Sequence, residues 1–214
     1  DHRGQKKNLN FELLNQKFKS KIIYIVLEDK FESQNLWINQ AKQREFIFNG
    51  LKLAKDDDYI MFSDPDEIPN PKVLENFKLQ NKYGIFLQDC FCYKINIFNK
   101  YESPWEGTRV CRKKNLKSFT FLRKKILKKN IYKPFWKFNI EKDIQIIKDG
   151  GWHFNNLYPI ETISKKLKVF PHQEFSGSQF SSIDIIKKKI LNLEDLFERG
   201  HKYTRVDIDE NYPE

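Results

Sequence analysis

The chain has 214 residues, of which 39% are hydrophobic, and it carries a net charge of +10. Its length and its 19 phenylalanines suffice for the core of one sizeable domain, which excludes a chain too polar to pack. No apolar run is as long as a membrane span, no signal peptide is recognised, and three cysteines without zinc-site spacing favour reduced structural thiols.

The first predicted elements form a βαβ unit. Residues 21–27 are an apolar run typical of a buried strand, residues 33–55 have helical length and spacing, and residues 59–62 form a second apolar run. This order predicts two parallel strands joined by a right-handed crossover. The residues after position 62 would then lie at the C-terminal end of a parallel strand, where α/β sheets bind ligands.

The rest of the chain alternates between further strands and helices. The pattern predicts a short helix over 69–79, one long strand or two over 84–98, and a strand that begins at 107–111. A short strand over 144–147 and helices over 160–169 and 183–199 follow. We therefore predict one α/β domain over residues 1–206, with an acidic tail over 207–214.

Three carboxylates, Asp64, Asp66 and Glu67, follow the strand at 59–62. Clustered carboxylates repel one another unless a positive charge lies between them, and hard oxygen ligands favour Mg²⁺ or Mn²⁺. Their place at a strand end therefore predicts a metal site that holds a nucleotide diphosphate. The alternative is a turn, with Asp66 as the N-cap of a helix near residue 71.

Other candidate residues are aromatic or titratable. His153 follows two glycines and Trp152, and it is a candidate third metal ligand or else a hydrogen-bonded, half-buried histidine. Trp105 beside a Gly turn is a candidate platform for a sugar ring or else a core residue. His172 and Glu174 are candidates for a general base, or else part of a surface loop.

The positive charge is concentrated in residues 112–148, which hold 13 Lys or Arg and 2 acidic residues. The remaining chain has 26 basic and 27 acidic residues and is nearly neutral. The segment is either a solvated face or a surface for phosphate, a polyanion or an anionic membrane. Aromatic residues between the cations are also found in nucleic-acid grooves. A metal-dependent nucleic-acid-binding protein or nuclease that uses segment 112–148 is therefore the alternative function.

Four motifs occur in the order DDDYIMFSDPDEIPNP, WEGTRV, GGWHF and HQEF. In this order they resemble the bisecting N-acetylglucosaminyltransferase family, the β-1,4-mannosyl-glycoprotein β-1,4-N-acetylglucosaminyltransferases. Gln43 and Arg44 resemble a Gln-Arg pair in a helix of that family, and the opening DHRGQKK resembles the segment after its second strand. The similarity extends to about Phe175, and DPDEIP together with GGWHF is its most specific part.

The resemblance implies a GT-A-like mixed sheet flanked by helices, which is N-terminally incomplete because the family's first strand and helix would precede Asp1. It also implies an inverting glycosyltransferase that moves N-acetylglucosamine, or a related sugar, from a UDP-sugar to a glycan hydroxyl. Mn²⁺ or Mg²⁺ would assist as a Lewis acid. Asp64 and Asp66 would then lie at the metal and diphosphate end of the site.

Further roles follow from this mechanism. Glu174 and Glu106 are the candidates for the base that deprotonates the acceptor hydroxyl. Arg44 and Arg109 are candidates for pairing with the donor phosphates. The candidates for contact with the substrates are Trp105, Trp152, Glu67 and His172.

Overall fold

The computed structural model describes residues 16–28, 31, 35–169, 175–208 and 212. The chain divides into two compact units, residues 1–55 and residues 56–214. The prediction of one domain over residues 1–206, followed by an acidic tail, stays a prediction. Over the ranges described, no helix has both the length and the apolar character needed to cross a lipid bilayer.

The main element of the first unit is helix α1 (Leu36–Phe46), which continues as a 3₁₀ helix over Ile47–Leu51. The Asn35 side chain caps α1, because it accepts a hydrogen bond of 3.0 Å from the backbone N–H of Trp37. The prediction of a strand over residues 21–27 is wrong. Gln16–Lys21 is a 3₁₀ helix, and residues 22–28 have no regular secondary structure. The described residues therefore do not form the expected βαβ unit.

The second unit, as far as it is described, is an eight-stranded mixed sheet flanked by helices. Its strands are β1 (Tyr59–Phe62), β2 (Glu67–Pro69), β3 (Tyr83–Cys92), β4 (Ile97–Phe98), β5 (Trp105–Arg112), β6 (Ile144–Ile147), β7 (Gly151–Asn155) and β8 (Thr204–Arg205). Its α-helices are α2 (Pro71–Glu75), α3 (Phe119–Lys125), α4 (Ile160–Val169), α5 (Ser178–Ser181) and α6 (Ile183–Leu191). Two 3₁₀ helices cover Lys113–Asn115 and Lys128–Tyr132.

Strand β3 is the centre of the sheet. It pairs antiparallel with β5 on one edge, and on the other it pairs in parallel with β6 and then with β7. Strand β1 pairs antiparallel with β5, and β2 pairs antiparallel with β7. The strand predicted at 59–62 is confirmed, but its partner is an antiparallel neighbour rather than the parallel strand of a βαβ unit.

The short link between β1 and β2 requires the sheet to curl. Four strand spacings separate β1 from β2, which is about 19 Å in a flat sheet. The chain from Phe62 to Glu67 reaches at most about 18 Å when fully extended. Part of this link is a turn, because the N–H of Glu67 donates to the carbonyl of Asp64 at 2.9 Å. The curl therefore brings the end of β1 against β7 and β2, and the carboxylate motif lies at that junction.

Two hydrophobic clusters pack along β3. The first contains Phe86, Val110 and Ile147, and the partly buried Phe77 after α2 packs against it. The second contains Cys90 and is covered by apolar residues of α4 and α6, among them Ile163, Leu167 and Ile186. The packed core that the composition predicts is thus built on both halves of one central strand.

The three cysteines are free and buried, as the sequence predicts. Burial raises the pKa of the Cys111 thiol to about 12. A hydrogen bond with Cys92, together with burial, raises the pKa of the Cys90 thiol. These thiols belong to the core of the sheet, where an uncharged sulfur packs as a small apolar group.

Most predicted elements of the second unit are confirmed, and some bounds differ. The region 84–98 contains two strands, which is one of the two patterns predicted there, the helix predicted over 69–79 is confined to Pro71–Glu75, and the GGWHF stretch is mostly strand β7. The helix predicted over 183–199 ends at Leu191, because Leu193 takes a left-handed conformation with φ of 57°. The cap of α2 is Asn70, whose side chain accepts from the N–H of Lys72, so the alternative that made Asp66 the cap is wrong.

Candidate functional site

The carboxylate motif, which consists of Asp64, Asp66 and Glu67, lies at the tight connection between β1 and β2. The backbone N–H of Asp64 donates to the carboxylate of Glu67 at 3.2 Å, and the N–H of Phe154 donates to the carbonyl of Asp66 at 2.8 Å. Pro65 fixes one backbone angle between the two aspartates. The motif is therefore held by its own hydrogen bonds and by strand β7.

Glu67 is the most deeply buried carboxylate of the motif, with 4% of the residue exposed. Its Oε1 accepts from the indole N–H of Trp105 at 2.8 Å and from Nη2 of Arg123 at 2.6 Å. The same Nη2 lies 3.0 Å from Oδ2 of Asp64. The positive charge that clustered carboxylates require is therefore supplied to Asp64 and Glu67 by one guanidinium.

Arg123 is a site residue that the sequence reasoning missed. It lies on α3, inside the basic segment that was interpreted as a possible surface. It is the one arginine between residues 113 and 148 of the sequence, where the other cations are lysines. That difference is the signal that could have found it, because arginine is the usual partner of a buried carboxylate.

Arg109 lies beneath this cluster, with 2% of the residue exposed. Its Nη1 donates to the carbonyls of Glu106 and Gly107, and its Nε donates to the carbonyl of Ile126 at 3.1 Å. Burial, and then repulsion from Arg123, lower the pKa of Arg109 to about 10. Arg109 therefore joins β5 to the segment after α3, and these contacts direct its donors to protein carbonyls.

Glu106 also has partners within the protein. Its Oε2 accepts from the backbone N–H of Lys128 at 3.0 Å and lies 3.4 Å from Nη2 of Arg109. The carboxylate thereby fixes the start of the 3₁₀ helix that follows α3. Its predicted role as a base stays a prediction.

The second aspartate of the motif faces a different group of residues. Oδ2 of Asp66 lies 3.6 Å from Nε2 of His153, and the imidazole stacks on Trp105 with ring centroids 4.6 Å apart. Burial acts to raise the pKa of Asp66, but His153 and the charge of Lys166 outweigh it, so that the pKa lies below its ordinary value. Asp66 therefore stays ionised at neutral pH.

Lys166 on α4 is the second residue that the sequence reasoning missed. Burial lowers its pKa, and the charge of Asp66 opposes that change. Among the described residues, its ammonium has one hydrogen-bond acceptor, Oδ1 of Asn156 at 2.9 Å. An ammonium has three donors, so Lys166 retains donors for a ligand or for water. A lysine in an amphipathic helix gives no sequence signal of such a position.

A cavity of about 240 Å³ borders this cluster. Its lining combines carboxamides, cations and apolar side chains: Asn155, Asn156, Lys166, Leu167, Phe175, Phe197 and Arg199. Lys166 links the cavity to the carboxylate motif, because its charge acts on Asp66. Amide groups beside aromatic rings are well suited to a ligand that has both hydroxyl groups and apolar faces.

The two glycines before Trp152 allow strands to approach closely. Gly151 has φ of 123°, and a Cβ there would collide with the carbonyl of Ile68. A Cβ at Gly150 would lie 2.9 Å from the backbone of Leu87. The close neighbours of the two glycines are therefore the backbones of β2 and β3, which a side chain at either position would push apart.

The remaining predicted site residues lie in different places. Trp152 is buried within β7, where it pairs with Ile68 and Asp89. Arg44 lies in the last turn of α1, in the first unit. His172 and Glu174 lie outside the described residues, so their predicted roles stay predictions.

A metal at Asp64, Asp66 and His153 also stays a prediction. The described ranges contain no group of three or more His, Cys, Asp or Glu side chains arranged to hold a metal ion. Asp64 contacts Arg123 and Asp66 contacts His153, so the two aspartates have separate partners. Asp66 and His153 supply donor atoms that Mn²⁺ accepts, but these atoms lie 3.6 Å apart, whereas neighbouring ligands of an octahedral ion lie about 3 Å apart, so the pair would have to close slightly around a cation.

Comparisons with protein-family models, with curated proteins and with solved structures gave no match for this chain.

Proposed function

We propose that this chain is a glycosyltransferase that moves a sugar from a UDP-sugar to a hydroxyl of a glycan acceptor. The observation that carries the proposal is the cluster of Asp66, His153 and Lys166 at the edge of a cavity lined by amides and aromatic rings. A carboxylate, an imidazole and an ammonium suit a metal-bound diphosphate. The cavity beside them suits a sugar.

Asp66 and His153 are the residues that would hold Mn²⁺ or Mg²⁺. A bound divalent cation would neutralise the charge that develops on the departing diphosphate. Lys166 would donate a hydrogen bond to an oxygen of the bound substrate. Arg123, by neutralising Asp64 and Glu67, would keep the local charge from repelling an anionic donor.

In the proposed reaction, a hydroxyl oxygen of the acceptor forms the new bond to the anomeric carbon, while the bond from that carbon to UDP breaks. The hydroxyl proton passes to a carboxylate base, for which Glu106 and Glu174 are the candidates. The indole of Trp105, which stacks on His153, would orient that imidazole toward the metal-bound diphosphate. The products are UDP and a glycan with inverted anomeric configuration.

The experiment is a direct measurement of UDP binding with and without Mn²⁺, followed by UDP release from a panel of UDP-sugars. We expect Mn²⁺-dependent binding that falls by at least about 10-fold in Asp66→Asn, because a metal ligand is lost. Asp184→Asn is the matched control, since Asp184 is an exposed aspartate on α6. Equal UDP affinity with and without Mn²⁺, or in wild type and Asp66→Asn, would contradict the proposal.

A further inference from the structure

The chain presents four aromatic side chains within seven residues of one loop. Tyr132 is 75% exposed, Phe135 78%, Trp136 61% and Phe138 88%. Burial of such a side chain is favourable because it removes apolar surface from water, so this exposure is unfavourable. Exposed apolar patches of this kind mark surfaces that bind a partner or a membrane. We call residues 130–142 the aromatic loop.

The aromatic loop is held in shape by its own hydrogen bonds. Nζ of Lys142 donates to the carbonyls of Phe135 at 3.1 Å and Lys137 at 2.9 Å. Successive turns are closed by the N–H of Lys133 to the carbonyl of Asn130 at 3.0 Å, and by the N–H of Lys137 to that of Pro134 at 3.1 Å. These hydrogen bonds therefore fix the backbone that carries the four exposed rings.

The charge around the rings is strongly positive. Residues 124–142 hold lysines at 124, 125, 128, 129, 133, 137 and 142, and Glu141 is the one acidic residue among them. Glu141 is paired with Lys82 at 3.2 Å, so its charge is already balanced. Lys133 and Lys137 alternate with the rings and are exposed. The surface therefore combines apolar insertion groups with cations.

We propose that the aromatic loop binds the surface of an anionic lipid membrane. Phe135, Trp136 and Phe138 enter the boundary between headgroups and acyl chains, where aromatic rings are favoured. Lys133 and Lys137 face the lipid phosphates, which attract lysines near the membrane surface. This inference is independent of the proposed transferase activity.

A membrane fits these side chains better than a nucleic acid does. Rings that stack on bases line a groove between cations, and they are partly covered by its walls. Here each of the four rings is at least 61% exposed, which describes an open surface. Phenylalanine has no polar atom for reading bases, whereas a lipid boundary can cover the whole side chain.

The experiment measures binding of the whole chain to phosphatidylcholine vesicles with and without phosphatidylserine. We expect binding to the anionic vesicles that weakens as salt increases. The double variant Phe135→Ala, Phe138→Ala should bind about 10-fold or more weakly, since two apolar groups are lost. The double variant Lys133→Gln, Lys137→Gln should lose about 10-fold and much of the salt dependence.

Matched controls alter exposed residues of the same chemistry elsewhere. Leu191→Ala removes a side chain that is 67% exposed on α6, and Lys187→Gln with Lys188→Gln removes two exposed lysines of that helix. Both controls should bind vesicles like wild type. Trp136→Phe should keep the affinity and abolish the blue shift of tryptophan emission, which assigns the inserted ring among the 4 tryptophans.

Three outcomes would overturn the inference. The first is equal vesicle binding by wild type and both loop variants. The second is no vesicle binding, together with salt-sensitive binding of a single-stranded oligonucleotide that the loop variants lose, which would make the loop a nucleic-acid surface. The third is no vesicle binding, together with self-association that the Phe135 and Phe138 substitutions abolish, which would make a second copy of the chain the partner.

Discussion

Two of the carboxylate–arginine groups in the second unit, one at Asp195 and one at the carboxylate motif, differ in how completely the charges are satisfied. At the first, Oδ1 of Asp195 lies 2.6 Å from Nη2 of Arg199 and accepts from the hydroxyl of Tyr203 at 3.2 Å. Its Oδ2 accepts from the backbone N–H groups of Phe197 and Arg199 at 3.1 and 2.9 Å. Arg199 also lies 2.6 Å from Glu102.

At the carboxylate motif, one guanidinium serves two carboxylates and the third carboxylate is left with a weaker contact. Arg123 binds Asp64 and Glu67, while Asp66 lies 3.6 Å from His153. Polar groups that are fully satisfied inside a protein stabilise it, whereas partly satisfied groups are found where a ligand completes them. The comparison teaches that Asp195 is bound on both of its oxygens by close donors, whereas Asp66, which the proposed function places at the ligand, has its nearest described side-chain partner at 3.6 Å.

The largest effect is expected from breaking the ion pair between Asp195 and Arg199. Asp195→Ala removes the main partner of Arg199 and the acceptor of two backbone N–H groups, so we expect a loss of about 2–4 kcal/mol in the free energy of unfolding. Urea denaturation followed by circular dichroism measures it. Asp184→Asn on α6 serves as the control with little change expected. A loss below about 1 kcal/mol would show that Arg199 finds compensation in Glu102.

A smaller effect compares the carboxylates of the motif with each other. Glu67→Gln weakens bonds with Arg123 and Trp105, and we expect a loss of about 1–3 kcal/mol in unfolding free energy. Asp66→Asn should change it by less than about 0.5 kcal/mol, because the nearest side-chain partner of Asp66 among the described residues is the Nε2 atom of His153, at 3.6 Å. The same urea titrations provide both values. Equal losses of unfolding free energy in the two variants would show that Asp66 stabilises the fold as much as Glu67 does.

The smallest expected effect is on the loss of stability at acidic pH. Burial acts to raise the pKa of Asp195, but hydrogen bonds from Arg199 outweigh it, so the folded pKa lies below its ordinary value. Such a group contributes stability above the unfolded pKa of about 3.9, and that contribution is lost as pH falls through the folded pKa. Asp195→Asn should therefore lose less stability than wild type when urea midpoints are compared between neutral pH and about pH 3.

The pH comparison includes both carboxylates. Asp66 also has a lowered pKa, so Asp66→Asn should reduce the acid-induced loss in the same direction. The reduction should be the smaller of the two, since its interaction with His153 spans 3.6 Å rather than the 2.6 Å between Asp195 and Arg199. A larger reduction of the acid-induced loss in Asp66→Asn than in Asp195→Asn would show that Asp66 contributes more pH-dependent stability than Asp195.

Local pattern predicted the strands of the second unit but not their pairing. The apolar run at Tyr59–Phe62 and the strand from Trp105 were found because burial of a strand leaves a local trace in the sequence. Their antiparallel pairing was not predicted, because the pairing of two strands depends on residues that are distant in sequence. The run at 21–27 was equally apolar, yet no strand forms over residues 22–28.

The candidate site was predicted in the same partial way. Asp66, Trp105 and His153 were singled out one by one, and the structure brings the three together. Arg123 and Lys166 were not singled out, since their roles arise from the curl of the sheet and the packing of α4. Lys166 has no local feature that distinguishes it from the neighbouring lysines, whereas Arg123 is set apart only as the one arginine between residues 113 and 148.

The burial of the three cysteines has a practical consequence for optical work on this chain. Thiol reagents react with the thiolate, and Cys90, Cys92 and Cys111 are enclosed in the core, two of them with raised pKa values. A single cysteine introduced by Phe138→Cys would therefore be the preferred target of an environment-sensitive dye. The native chain is thus a suitable background for reporting, from one chosen position, the surroundings of the aromatic loop.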